Sequence, residues 1–318
     1  MAQPDRSDVH VDAFLTEMSV AYRNQVSAFI ADRVFPIVEV AKDSGKYPEY
    51  TRDYWLRPEM RVRAYGAEHP RAGYPISYGT YATEQFSLEH PIPDEIAAAA
   101  DNPVDLDRDG MEWLTQQMLL KRELTFAARY MAAGVWSFED DDSGEGVGVD
   151  WDDYENADPV GAVRTCRRAI AQAIGRPANV MAMGLTVHDA LLGHPDVLER
   201  IKYSEAATTS NVNAAMAAIF GMEKVLVGEA IYAASAEGEG PSLSPIIGDD
   251  CLICYANPTP GLLSPSAGYT FVWAAGGGAG TIYRWRDERV ESDVLRGKMQ
   301  YDQRVVAPDG GYLLIGIV

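Results

Sequence analysis

The stretch from Pro103 to about Gly134 constrains this chain more than any other. Asn102 offers an N-cap oxygen, Pro103 suits a first turn that needs no N–H donor, and Asp105, Asp107 and Asp109 place negative charge at the positive end of a helix dipole. From Met111 onward strong helix formers follow without a proline, which predicts a rod of near thirty residues, roughly 45 Å long. Its apolar stripe is not straight. Met111, Leu114 and Met118 share one face, whereas Leu120, Leu124, Ala127, Met131 and Val135 share the opposite one, with Phe126 and Tyr130 between them. A coiled coil keeps one seam over several heptads, so the pattern predicts a helix that changes partners along its length. A central core helix and a rod bridging layers of a larger assembly both fit it.

With 318 residues the chain exceeds what one core usually holds, and two lobes are expected. No window approaches 18 uninterrupted apolar residues and the first thirty residues carry charge throughout, so a soluble protein made in the cytosol is expected. A net charge of −20 argues against a surface built to grip nucleic acid, which needs clustered Lys and Arg. Cys166, Cys251 and Cys254 cannot all pair, which fits a reducing compartment.

In chain order, residues 1–13 are polar. Gln25–Asp32 reads as a short helical segment running into the extended phrase Val34–Val40, where Pro36 enforces extension. The character then changes between Lys42 and Pro93, with seven tyrosines and Arg52, Arg57, Arg61, Arg63 and Arg71 set among prolines and glycines. Such a segment cannot build its own core. Alternation in Arg61–Tyr65 and Thr80–Leu88 predicts two strands of a long hairpin. Between Lys42 and Arg71, seven basic residues face five acidic ones, a local balance of +2 against the sign of the whole chain. The segment therefore reads as a Tyr- and Arg-rich arm lying on an acidic neighbouring surface rather than as a solvated flap.

Ser137–Asp158 holds ten acids and no Lys or Arg, the mark of an exposed loop; its glycine is misplaced for a calcium loop. A second, α/β lobe follows. It comprises a helix over Pro159–Ile174 ended by Gly175, a buried strand over Val180–Gly184, and a helix over Thr186–Tyr203 capped by Thr186. Then come a helix over Asn211–Phe220, a strand over Lys224–Tyr232, and strands over Ile246–Ala256 and Tyr269–Ala274. The end reads as all strand: Thr281–Val290, Lys298–Val306, a turn at Asp309-Gly310, and Gly311–Val318, the last expected to close a sheet.

No catalytic constellation emerges. Cys251-Leu252-Ile253-Cys254 has redox spacing but lies within an apolar strand, not at a helix N-terminus where a thiolate is stabilised. Gly276–Gly280 lacks the Lys-Ser/Thr of a phosphate loop, the histidines at 10, 69, 90, 188 and 194 are scattered, and a single CxxC cannot build a zinc site. No cofactor and no metal is expected.

The order of parts resembles the major capsid proteins of tailed bacteriophages, the Hong Kong 97-type fold. Several phrases carry the likeness: Phe29–Pro36, Lys224–Gly228, Pro258–Leu262, Ser266–Phe271 and Val305–Tyr312. The resemblance implies an α+β chain divided into an N-terminal arm (1–41), an extended β-hairpin E-loop (42–93), a spine helix with the acidic loop (94–157), an axial domain (158–275) and terminal strands (276–318) that join the spine helix in a peripheral domain. It places Arg52, Tyr54, Trp55, Arg57, Arg61, Arg63, Tyr65, Arg71 and Tyr74 of the E-loop against the next subunit, and makes Met111, Leu114, Met118, Leu124, Tyr130 and Met131 the working face of the spine.

Function follows from the same likeness. Copies are expected to form hexamers and pentamers of an icosahedral head, assembled in the host cytoplasm and enclosing DNA without sequence-specific binding, with no membrane involved. Because the arm begins within a few dozen residues of Met1, a separate scaffolding protein is expected, with a portal; the reading also leaves room for a decoration protein. Lys42 and Lys46 lie near the loop, but no isopeptide partner can be assigned. The competing readings are an encapsulin, a shell of the same fold that packages enzymes, and a small thiol enzyme using Cys254.

Overall fold

The computed structural model describes residues 23–50, 52–100, 105–141, 150–202, 212–235, 240, 242–261 and 265–318. The chain runs through a 3-10 turn at Val26–Ala28 and a short helix α1 (Ala31–Val34) before Pro36 turns it into strand β1 (Ile37–Val40). The single helical segment expected over Gln25–Asp32 is thus two separate turns, the second reaching Val34. Ala28–Ala31, Val34 and Phe35 are buried, and the polar residues 1–13 lie outside the described residues.

Strand β2 (Ser44–Tyr50) leads into helix α2 (Arg52–Leu56), and strand β3 (Ile76–Ala82) returns antiparallel to β2 in the register Ser44↔Ala82 to Tyr50↔Ile76. A long hairpin exists, but Arg61–Tyr65 is not one of its strands: that stretch lies in the irregular tip, where no neighbouring strand offers a ladder to satisfy its backbone. The second expected strand, Thr80–Leu88, is divided at Thr83, whose N–H donates to Asp43 O at 2.8 Å. Strand β4 (Glu84–Pro93) and helix α3 (Asp94–Ala99) follow.

The long helix α4 spans Leu106–Tyr130, 25 residues, or about 38 Å. Asp105 caps it, accepting from Arg108 N at 3.1 Å; the expected cap Asn102 and Pro103 lie outside the described residues. Its buried face follows one row, Gly110, Leu114, Arg122, Phe126 and Tyr130, with Met118 half-buried in the same row and Glu123 buried beside it. Steps of four residues advance about 40° past a full turn, so the row winds about 200° around the rod. The helix does change partners, as its sequence predicts, but by one winding row rather than two opposed stripes; Met111 is 43% exposed and Leu120 and Leu124 are half-buried. Past Tyr130 the Trp136 indole N–H donates to the Tyr130 carbonyl at 2.7 Å, satisfying one of the acceptors a helix end leaves open.

The acidic stretch contains a short strand, β5 (Phe138–Asp141); residues 142–149 lie outside the described residues. Helix α5 (Pro159–Ile174) matches its expected bounds, with Asp158 accepting from Gly161 N at 2.8 Å and Gly175 ending it at φ 75°, a left-handed turn that favours glycine. Strand β6 (Val180–Gly184) also matches. The helix expected from Thr186 is instead two, α6 (Leu185–Gly193) and α7 (Pro195–Lys202), because Pro195 has no N–H with which to continue the ladder. Thr186 caps nothing; its hydroxyl donates to Asp249 at 2.7 Å.

Helix α8 (Val212–Phe220) leads to strand β7 (Lys224–Gly228), which stops four residues short of its expected end. Small strands β8 (Ile231–Ala233) and β9 (Leu243–Pro245) pair with each other. Strand β10 (Cys251–Cys254) is shorter than expected, and β11 (Gly268–Trp273), β12 (Thr281–Asp287), the 14-residue β13 (Ser292–Val305) and β14 (Gly311–Ile315) complete the chain.

Two five-stranded sheets organise these elements. In the first, β13 pairs with β4 along one side and with β12 and then β11 along the other, and β1 runs parallel beyond β11. Its inner face, with Leu295, Met299 and Tyr301, packs on Leu114 and Met118 of α4. The second sheet has the order β5-β14-β10-β6-β7. One face, with Met181, Met183, Val225, Cys251 and Ile253, meets Val163, Ile170, Leu191 and Phe220 of the helices. The other, with Val180, Ala182, Leu252 and Leu313, meets Phe35, Phe126, Tyr130 and Trp136. Burial on both faces explains why β6, β7 and β10 read as near-continuous apolar runs.

The sheets cross the boundaries expected from sequence. Strand β11 lies in the first sheet, not in the lobe to which 158–275 was assigned, and β14 lies inside the second sheet, not with the strands that pack on α4. The terminal strand does complete a sheet, but as an inner strand between β10 and β5. A Cβ at Gly311 would fall 2.3 Å from the Trp136 ring, so β14 reaches its place only with glycine there.

The winding row makes a direct prediction. Phe126→Ala should cost about 3–5 kcal/mol in denaturant unfolding, whereas Met111→Ala should stay within about 0.5 kcal/mol. Equal losses would contradict the row.

Candidate assembly interface

The β2–β3 hairpin projects from the first sheet, and its root is fastened. Tyr81 and Tyr47 stack on Phe271 of β11 at 4.8 and 5.6 Å between ring centres, and the Ala82 N–H donates to Asp302 Oδ2 at 3.0 Å. Burial, seconded by the Glu49 carboxylate, pushes the Tyr47 hydroxyl up to about 12, so the ring stays neutral where it stacks.

Halfway out, Tyr50, Trp55 and Tyr74 form an aromatic knot with centroids 5.2–6.1 Å apart. The knot holds α2 across the hairpin, and from α2 Arg52 turns back to the body: its Nη1 donates to Asp309 Oδ2 at 3.0 Å and to the Ala173 carbonyl at 3.3 Å. Beyond the knot lies bare chain. Met60, Val62 and Tyr65 are fully exposed; Arg61, Arg63 and Arg71 are exposed, with Arg63 beside the His69 ring, and Arg57 pairs with its neighbour Glu59 at 3.2 Å. Of the nine sequence-selected arm residues, the structure brings Trp55 and Tyr74 together, seats Arg52 on the chain's own lobe and leaves the others spread over solvent. Fully exposed Met, Val and Tyr on one projecting tip form an apolar surface that a monomer does not cover.

The helix residues selected from sequence divide similarly. Leu114, Tyr130 and Met131 are buried, Met118 and Leu124 are half-buried, and Met111 faces solvent. The residues sequence reasoning passed over are Arg122 and Glu123, both buried near the middle of α4. Glu123 accepts from Ile30 N at 3.1 Å and Ala31 N at 2.9 Å, holding the first turn of α1 by its open donors. Arg122 pairs with Asp32, donates to the Ala279 carbonyl and lies 5.4 Å over the Tyr301 ring. Burial pushes the Glu123 carboxyl up to about 7 against the two backbone donors that favour its ionised form, with Asp32 adding to the rise. The available signal was the spacing: Arg122 falls four residues from both Met118 and Phe126, inside the apolar row.

The thiols face no such chemistry. Cys166, Cys251 and Cys254 are free and buried, and burial raises each above the ordinary thiol range, Cys166 to about 12, which disfavours a nucleophilic thiolate. A cleft of about 650 Å³ between residues 32–36 and β7 is lined by Asp32, Arg33, Glu223 and Lys224 among apolar and amide residues, without Ser, Cys or His. Among the described residues no group of three His, Cys, Asp or Glu is placed to hold a metal, and no helix is long and apolar enough to cross a membrane.

A projecting hairpin without a core, a long helix joining two sheets, and a helix-covered lobe completed by the terminal strand together make the Hong Kong 97-type capsid fold. Comparison with known proteins agrees. The chain is 27% identical over 317 residues to the major capsid protein of Burkholderia phage BcepMu, covering 96% of both chains. A phage-related protein from Bordetella bronchiseptica RB50 superposes with a TM-score of 0.68 at 22% identity, over 92% of this chain and 94% of that one. The capsid of cyanophage P-SCSP1u gives 0.56 at 11% identity over 99% and 98%. No family model matches the chain.

Glu123 links stability to pH. Its carboxyl rises from an ordinary 4.5 to about 7 on folding, so the folded state binds the extra proton and the group's contribution is full below pH 4.5 and lost as pH rises through about 7. The stability advantage of wild type over Glu123→Gln should therefore shrink by roughly 3 kcal/mol between pH 4.5 and 8 in urea unfolding. Parallel pH profiles would contradict this.

Proposed function

We propose that this chain is the major capsid protein of a tailed bacteriophage, assembling as hexamers and pentamers into an icosahedral head around double-stranded DNA. The relation to a phage major capsid protein over 96% of both chains carries the reading, and the coreless arm supports it. Ordering a projecting hairpin costs about 1–2 kcal/mol per residue of backbone entropy, which a neighbouring copy offsets by covering Met60, Val62 and Tyr65. In this reading Arg52, Tyr54, Trp55, Arg57, Arg61, Arg63, Tyr65, Arg71 and Tyr74 supply the contact between subunits, and α4 transmits the load between the two sheets.

The protein works as a wall and not as an enzyme. Its buried thiols and a cleft lined without Ser, Cys or His support that assignment. With a net charge of −20 it contains DNA by repulsion and shape, without gripping the sequence. A separate scaffolding protein and a portal complete the assembly, which leaves room for a decoration protein. The whole-length relative is a phage protein, so the cargo assigned is a genome rather than packaged enzymes.

Deletion of the arm from Tyr54 to Tyr74 tests the assignment. The variant should remain a folded monomer by circular dichroism and thermal melting yet build no stable shells by electron microscopy. Normal particles from it would refute the role given to the arm.

A further inference from the structure

The arm's contact with its own body suggests how free subunits are kept apart. Arg52 sits where two acceptors converge: the Asp309 carboxylate at 3.0 Å and the Ala173 carbonyl at 3.3 Å. Ala173 lies in the last turn of α5, the negative end of that helix dipole, and Asp309 lies in the turn before β14. Together they make a surface that accepts a guanidinium. Arg52 is held out to it by the Tyr50–Trp55–Tyr74 knot, while the hairpin root is stacked on Phe271 of the other sheet.

We propose that this surface is an exchangeable docking site for the arm: the isolated subunit fills it with its own Arg52, and in the shell it receives Arg52 from a neighbouring copy. The proposal rests on the shell reading above. Both partners are near half-exposed, with side chains 48% and 39% accessible, and ion pairs so placed contribute little. Such a contact suits exchange. Within one chain the short tether gives Arg52 a high effective concentration at its own site, so a dilute subunit docks its arm on itself. As copies gather, the same groups meet in trans with no loss of contact, and burial of the exposed tip favours the swapped arrangement. The arm is thereby restrained before assembly and used as a link after it.

The test uses the full chain with Arg52→Cys and Asp309→Cys, co-expressed with the genes that neighbour it and treated with a short bismaleimide. The three native thiols are buried and leave the introduced pair as the reactive sites. In free subunits the reagent should bridge the pair within one chain, and subunits so locked should lose shell formation. In shells formed before treatment, it should give ladders of linked chains on a denaturing gel. Shells whose chains remain bridged only internally, or locked subunits that assemble as well as untreated ones, would overturn the proposal. Arg52→Lys, which keeps a cationic donor for both acceptors, should assemble where Arg52→Glu delays it; equal assembly by the two would also overturn it. Absence of shells from untreated wild-type protein would instead count against the shell reading.

Discussion

The clasp at the middle of the long helix is the interaction on which the rest of the structure depends. Glu123 binds the first N–H groups of α1, and Arg122 ties Asp32 to the loop carbonyl of Ala279. By these bonds the segment that begins the described chain is wedged against α4, with Phe29 beside Ala230 and Phe35 beside Phe126, Tyr130 and Trp136. The same residue pair therefore fixes the N-terminal segment, the helix and the loop leading into β12. A buried carboxylate and guanidinium are tolerable only because each is engaged by donors or acceptors in place.

From that clasp the load divides. Ahead of it, Leu114 and Met118 seat α4 on β13 and its neighbours; behind it, Phe126 and Tyr130 seat the helix on the second sheet. The row winds as it passes from one to the other, so one continuous helix serves two sheets. Strand β13 then holds the hairpin root through Asp302 and β11 holds it through Phe271. The body thus presents a projecting arm whose tip leaves Met60, Val62 and Tyr65 exposed.

Much of this was legible in the chain. Pro159 and Gly175 bounded α5 without help from packing, and the apolar run of β6 declared a buried strand with its ends in place, whereas the run around β10 declared a strand but not its length. Less was legible where distant partners decide. Arg61–Tyr65 alternates like a strand but meets no ladder, whereas Phe138–Asp141, acidic and unpromising, becomes a strand because β14 runs beside it. The helix face was misread for the same reason: Met111 is apolar but stays 43% exposed, and Arg122 is charged but Asp32 and Ala279 engage it. The nine arm residues were visible as a group that no core could hold, which is a statement about missing partners more than about structure.

In the proposed function the subunit is completed by assembly, and electron microscopy of the purified protein, expressed alone and then with the genes that neighbour it, reads this out. Closed polyhedral shells, or sheets of hexamers and pentamers, are the predicted result. A monodisperse monomer under both conditions would contradict it.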